Sequence, residues 1–401
     1  MKAKILPALI LCGVFTTLQN LRIRAQDKRT QYPPLLANSY FGVNIGYINY
    51  PFTNSTLEPG YSAESIDIPH VAVRILLLGH QFNKNLSAQI SYMRPVNWVK
   101  YNNINGDHSF HSVWMNVAGL TLKYMLPLNK QFSVYAEAGL GIITRNGFVI
   151  NRIPVVKDAN YASLLTGAGL QYHLNNKWDL VMNMAWSPAH QKVKQPHTIF
   201  FSGGFNFHMN PLPAERVKVN SNSGFIFPEQ LLQIGYTTNG LGYGVNNFLS
   251  GGAIPIFWGG SAEIAKGFTL QYQRNVFHSR RVFALDWGAG ISYWKSHINR
   301  DGFITMSLFP VFRFTAMRSK STDLYFNYSV AGPTYISKLI IDNENTGSHF
   351  TFQDFMGAGI FTGQKRNMNA EIRISHYSNG NIFPDNAGVK IPLTFNLGYT
   401  F

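Results

Sequence analysis

The chain has 401 residues, with 34 Lys and Arg against 19 Asp and Glu, a formal charge of +15, and only 13% charged residues beside 14% aromatics. A soluble domain carries about 25% charged residues, so part of this surface is not wet. In the region after the N-terminal leader, Gly, Asn, Ser or a charge breaks every apolar run before the roughly 18 residues that a membrane helix needs. The positive excess comes without zinc spacing, a basic helix or an RNA-binding strand signature, which argues against nucleic acid and for an anionic membrane surface.

At the N-terminus, Lys2 and Lys4 precede an apolar run from Ile5 to Phe15 and a polar stretch ending Arg22-Ile23-Arg24-Ala25-Gln26. This pattern predicts a secretory signal peptide over residues 1–25. The single cysteine, Cys12, lies inside the run and follows Leu11 rather than a small residue, so no lipid anchor is expected there. The mature chain then has no thiol for a disulfide, a metal or a nucleophile.

From about Tyr40 a grammar repeats: some ten alternating residues, a turn, another alternating run, then a longer polar loop. In the stretch from Gln131, Phe132, Val134, Ala136, Ala138, Leu140 and Ile142 share one side, and Ser133, Tyr135 and Glu137 the other. From Lys177, Trp178, Leu180, Met182, Met184 and Trp186 face outward, with Asp179 and Asn183 inward. Alternation of this kind is the mark of a transmembrane β-barrel, apolar toward lipid and polar within. Short turns are expected at 83–85, 128–130 and 174–176 on the periplasmic side, and longer outer loops near 52–69, 98–109, 146–158 and 189–196. About eight strands fit between Tyr40 and Met209, enough to close a small barrel.

The pattern stops at Asn210, where Pro211, Pro213 and a polar run read as a linker over residues 210–228. It resumes at about Glu229, with turns expected near 276–280, 317–321 and 363–366 and a last strand ending on Phe401. The fold class is therefore all-β, two tandem eight-stranded antiparallel barrels over residues 26–209 and 229–401, with one barrel of about sixteen strands as the alternative. The location is the bacterial outer membrane. A terminal phenylalanine on an alternating strand resembles the signal read by the barrel-assembly machinery, a partner during biogenesis.

The seventh strand of the second set, EIRISHYS from Glu371, breaks the apolar rule at its outer end. Ile372, Ile374, His376 and Ser378 share the lipid-facing side, and Glu371 and Arg373 point inward, where they are expected to pair with charges of neighbouring strands. Polar groups against hydrocarbon cost less near the interface, which places His376 and Ser378 at headgroup depth. A serine hydroxyl with a histidine two residues away on one face can act as nucleophile and base toward a lipid ester. Asn379 and main-chain amides in the Asn379-Gly380-Asn381 bend can serve an oxyanion. No metal or cofactor is expected. Asp342 and Glu344, in IIDNENTG, match no calcium-loop spacing.

His376 to Asn379, followed by the Gly-Asn bend, Pro384, Asn386, Gly388 and a final strand, resembles the PagL-type lipid A deacylases and related acyloxyacyl-hydrolase-like barrels. The resemblance covers about the last 170 residues, and the first half resembles OmpA-like barrels. It implies an outer-membrane esterase that removes an ester-linked acyl chain from the lipid A of lipopolysaccharide, with His376 as base, Ser378 as nucleophile, and Asn379 and Gly380 at the oxyanion. The family places an acidic residue shortly after the glycine that is here Gly388; this chain has Lys390. Two substitutes for the acid are Asp354, expected diagonal to His376 across a turn centred near Gln364, and Asp385 in the following loop. Lys390, expected beside Ser378, can hold a lipid A phosphate. The alternatives are a non-catalytic structural or adhesion barrel and, for a single large barrel, a porin-like channel.

Overall fold

The computed structural model describes residues 28–250 and 259–401, so the expected signal peptide lies outside the described residues. The first series of strands runs β1 (Ser39–Asn49), β2 (Ala63–Asp67), β3 (Val71–Gln81), β4 (Leu86–Pro95), β5 (Val99–Ile104), β6 (Asp107–Pro127), β7 (Phe132–Asn146), β8 (Phe148–Ile150), β9 (Ile153–Val156), β10 (Ala159–His173), β11 (Trp178–Ser187) and β12 (Thr198–Met209). Eight of these close a ring in the order β1-β3-β4-β6-β7-β10-β11-β12, with β12 returning to β1. The other four lie in the expected outer loops: β2 and β5 extend the sheet beyond β6, and β8 and β9 form a hairpin. Thus the 98–109 and 146–158 loops are paired strands, because their polar runs keep the period-two backbone past the membrane band.

The three periplasmic turns of this barrel are built alike. Asn83, Asn129 and Asn175 each accept, at the side-chain oxygen, the main-chain N–H groups two and three residues ahead. An asparagine that mimics the missing turn backbone is why the same residue recurs there.

Inward side chains fill the lumen with charge, which must be paired to be tolerated. Arg74 meets Glu137 at 2.6 Å, and Lys123 Nζ donates to Gln171 at 2.7 Å. Asp179 accepts from Gln171 and lies against His173 and His208. Outside, Leu120, Leu122, Leu164, Leu180 and Met182 stand about half exposed in the row that meets lipid.

The linker contains a helix that its polar composition did not announce. Pro213, at φ −56°, caps α1 (Ala214–Ser221), where a proline lacking N–H removes no helix bond. Gln31 brackets Leu212 through both amide atoms, and the Tyr32 ring packs at a tilt, 4.9 Å between centroids, against Phe277 of the second barrel.

The second series comprises β13 (Gln230–Thr238), helix α2 (Gly244–Ser250), β14 (Ala262–His278), β15 (Phe283–Ser296), β16 (Gly302–Arg318), β17 (Thr322–Ile336), the small hairpin β18 (Ile340–Ile341) and β19 (Glu344–Asn345), then β20 (Phe350–Thr362), β21 (Met368–Ser378) and β22 (Val389–Thr400). Strands β13-β14-β15-β16-β17-β20-β21-β22 form a closed barrel. The sixteen-stranded alternative is overturned: β12 returns to β1 and β22 to β13, each ring satisfying its own edges. Above Thr238, where β13 stops, β14 and β22 touch directly in a short parallel pairing, Ala262 with Val389 and Glu263 with Lys390. The lumen pairs Arg313 with Asp286 at 2.6 Å.

Candidate active site on the outer wall of the second barrel

Strand β21 rises from the turn after Thr362 to the outer rim. Its inward row, Glu371, Arg373, Ser375 and Tyr377, is buried. Contrary to expectation, Glu371 and Arg373 pair with one another two residues apart, at 2.5 Å, instead of across strands. Glu371 then takes neutral donors from the neighbours, Tyr325 at 2.7 Å and Asn327 at 2.8 Å. Two opposite charges on one inward row cancel locally, so the adjoining strands need supply only hydroxyls and amides.

The outward row changes character along its length. Ile372 is 49% exposed, as a lipid-facing residue should be, but Ile374 and His376 are each only 2% exposed. The segment leading into β14 runs alongside the start of β22: Ser261 N–H donates to Ala387 O and Ala262 N–H to Gly388 O. Gly388, at φ +61°, lies close enough to the imidazole that a Cβ there would sit 3.3 Å from His376 Nε2, and 3.0 Å from Gly259 O. Only glycine combines that backbone conformation with that approach. The expectation was an open imidazole at headgroup depth; the strap of 259–262 and 387–389 instead packs against it, and Ser378 is the partly exposed member of the row.

Asp354 of β20 stands directly opposite His376 in register, not diagonal to it. The cause is the turn: Thr362 pairs with Met368, so five residues, 363–367, intervene and the centre falls on Lys365. Asp354 Oδ2 lies 3.7 Å from His376 Nδ1, an ion-pair distance longer than a hydrogen bond. Its other oxygen accepts the Ala331 N–H at 2.6 Å. Ala331 sits at φ +54° in a bulge where the β17 and β20 pairing slips between Ser329 and Gly332. Bulges re-aim main-chain groups, and this one fixes the carboxylate. Nothing in the sequence marked Ala331.

Lys390 is likewise shifted. The β21 and β22 register slips between Arg373 and Ser375, so Lys390 faces His376 where the sequence reading put it beside Ser378. Its ammonium is 2.9 Å from Glu263 and 5.5 Å from the centre of the Tyr243 ring. Burial, the first cause, and then the Glu263 charge push the Tyr243 phenol up from its usual range. Glu263 had no signal in the sequence, since its pairing depends on the parallel contact above β13.

The loop after β21 begins with a tight turn in which Gly380 and Asn381 both have positive φ, and Ile382 N–H donates to Asn379 O at 3.2 Å. Asn379 is fully buried and its donors are committed within the loop. Its N–H goes to Asn386 Oδ1 at 2.9 Å, and its amide hydrogens to Thr346 O at 3.0 Å and Asp385 O at 2.6 Å. Gly380 keeps a main-chain N–H with no hydrogen bond among the described residues. The Asp385 carboxylate takes the Asn345 amide at 2.6 Å, which leaves Asp354 as the acid that the structure brings to His376. Asp342 is spent on main chain, accepting from Ile298 N–H at 3.0 Å and Asn299 N–H at 2.7 Å. Burial works to raise this loop carboxyl, but those donors outweigh it and hold it below its ordinary value.

Two closed eight-stranded barrels, charge-lined within and apolar without, define a bacterial outer-membrane protein whose second member carries a histidine, a serine and an acid at its outer rim. Residues 266–400 match the family model for lipid A 3-O-deacylase (PagL), and residues 36–210 match the OmpA-like transmembrane domain. The second barrel thus carries a match to the PagL domain and the first a match to the OmpA-like one, which agrees with an outer-membrane location. Similar solved structures include the outer membrane enzyme PagL, 18% identical, covering 43% of this chain and 99% of that one with a TM-score of 0.31. The N-terminal β-barrel domain of Pseudomonas aeruginosa OprF is 14% identical, covering 43% and 98% with a TM-score of 0.29. Ail, the attachment invasion locus protein of Yersinia pestis, is 14% identical, covering 42% and 99% with a TM-score of 0.27. No curated protein matches the chain.

Proposed function

We propose that the second barrel is a serine esterase that removes an ester-linked acyl chain from lipid A in the outer leaflet, with Ser378 as nucleophile, His376 as base and Asp354 as the group that orients the imidazole. The observation that carries this reading is the register that sets Asp354 opposite His376 on the outer wall, with Nδ1 toward the carboxylate and Ser378 two residues further on. Closing the 3.7 Å gap between Nδ1 and the carboxylate would orient the ring so that Nε2 can take the serine proton.

In the first step the Ser378 Oγ bonds to the ester carbonyl carbon while its proton passes to His376. The carbonyl oxygen, now negative, draws on the Gly380 N–H. Collapse breaks the carbon–oxygen bond to the sugar, whose oxygen takes the proton from the imidazolium. Water, deprotonated by His376, then displaces the fatty acid and restores the serine. Lys390 exchanges Glu263 for a lipid A phosphate when substrate arrives, which keeps a cation and an anion at the rim in both states.

Mass spectrometry of lipid A from cells making the wild-type protein or Ser378→Ala tests the reading. The wild type should remove one acyl chain and the variant none, with heat-modifiable folding intact in both. An equally active alanine variant overturns it, and an inactive wild type favours the structural or adhesion alternative.

A further inference from the structure

The first barrel has its own interruption of the lipid-facing row. Asn116 of β6, Thr144 of β7 and Asn160 of β10 are neighbours in register, Asn116 opposite Thr144 and Thr144 opposite Asn160. All three fall on the outward parity, with Leu120 and Leu122, Leu140, and Leu164 on the same rows. Amides and a hydroxyl on a lipid-facing wall are costly unless satisfied. Here Asn116 is 1% and Thr144 0% exposed, because the loop that follows Ser378 is seated on them.

The contact is specific. Asn116 Nδ2 donates to Asn381 O at 2.6 Å, and Thr144 Oγ1 to Ile382 O at 2.7 Å. Asn160 donates both to Thr144 Oγ1 and to Ile382 O, and Asn146 Nδ2 to Pro384 O at 3.0 Å. Four side chains from three adjacent strands thereby hold three consecutive-turn carbonyls of one loop. That loop is the one whose first turn presents the Gly380 N–H. On its far side it is held by Asn345 and Thr346 beside β19.

We infer that the first barrel is a positioning element of the second barrel's site: its Asn116, Thr144, Asn160 and Asn146 clamp the 381–384 carbonyls and so hold the Gly380 amide at the distance the reacting oxygen needs. The inference rests on the esterase reading for its consequence but not for the contact. A donor displaced by a fraction of an ångström loses transition-state stabilisation with little effect on ground-state binding, so these are positioning residues whose loss lowers kcat and spares KM.

The test uses the full chain in lipid vesicles containing lipopolysaccharide. Thr144→Val combined with Asn116→Ala should lower kcat about tenfold to a hundredfold with KM within about twofold, the range expected for a weakened oxyanion donor. Thr144→Ser, which keeps the hydroxyl, should restore most of the rate to Thr144→Val. Independently of activity, Asn160→Cys with Ile382→Cys, in a mature chain that has no other cysteine, should form an interbarrel disulfide under mild oxidation. Wild-type kcat in the double variant, or failure of the cysteines to cross-link in the folded protein, overturns the inference. Cross-linking of the cysteine pair, together with a wild-type protein that releases no fatty acid, instead sinks the esterase reading while leaving the contact standing.

Discussion

The two barrels break their lipid-facing rows toward the outer ends of their strands and with different chemistry. The first uses Asn116, Thr144 and Asn160, groups that donate hydrogen bonds without titrating, and it spends them on another segment's main chain. The second has an imidazole and a carboxylate, His376 and Asp354, facing each other, with a partly open hydroxyl at Ser378 two residues on. On the proposed reading, a polar interruption on a membrane wall marks a use, and the residue type separates a clasp from a reacting centre.

The largest expected effect falls on the reacting side of that contrast. His376→Ala should lower the rate of fatty-acid release by about 10²- to 10⁴-fold, the range for a general base, with the folded fraction unchanged on heat-modifiability gels. A comparable energy lies in the first barrel but in stability. Glu137→Ala strands the Arg74 guanidinium in the lumen and should cost about 3–5 kcal/mol in urea unfolding from vesicles, while kcat of the folded protein stays as it was. Gly388→Ala should be milder, about 1–2 kcal/mol of backbone strain plus crowding of the imidazole, read as a roughly tenfold loss of rate. The smallest effect concerns pH. Because the Asp342 carboxyl is held low, its grip on Ile298 and Asn299 is present above the ordinary carboxylate value of about 4 and is lost as pH falls below it. Pepsin nicking after Ser296 should therefore rise steeply below that pH, and Asp342→Asn should show the faster nicking throughout the acid range.

Much of this was legible in the chain. Strict alternation gave both sets of strands, the inward Glu371 and Arg373, and the outward His376, because a period of two survives any register. What depended on counting across a turn went astray by one step. The 363–367 turn is centred one residue beyond Gln364, which shifts the register by two and moves Asp354 from diagonal to opposite. A one-residue slip in pairing near Pro392 turns Lys390 to His376, two residues short of Ser378 where the expectation had it. Covering of the imidazole, the Ala331 amide on Asp354 and the clasp between barrels are contacts between segments far apart in sequence. No periodicity encodes those, and the asparagines that make them read as ordinary rim residues.

The early end of β13 has a geometric effect on the surrounding lipid. Where Ala262 meets Val389 directly, seven strands rather than eight make up the wall, and circumference scales with strand number. At that level, above the end of β13, the ring is closed with one strand fewer. A wall one strand short has less girth, so lipid tails packed against the proposed site meet a tighter curve than those lower down.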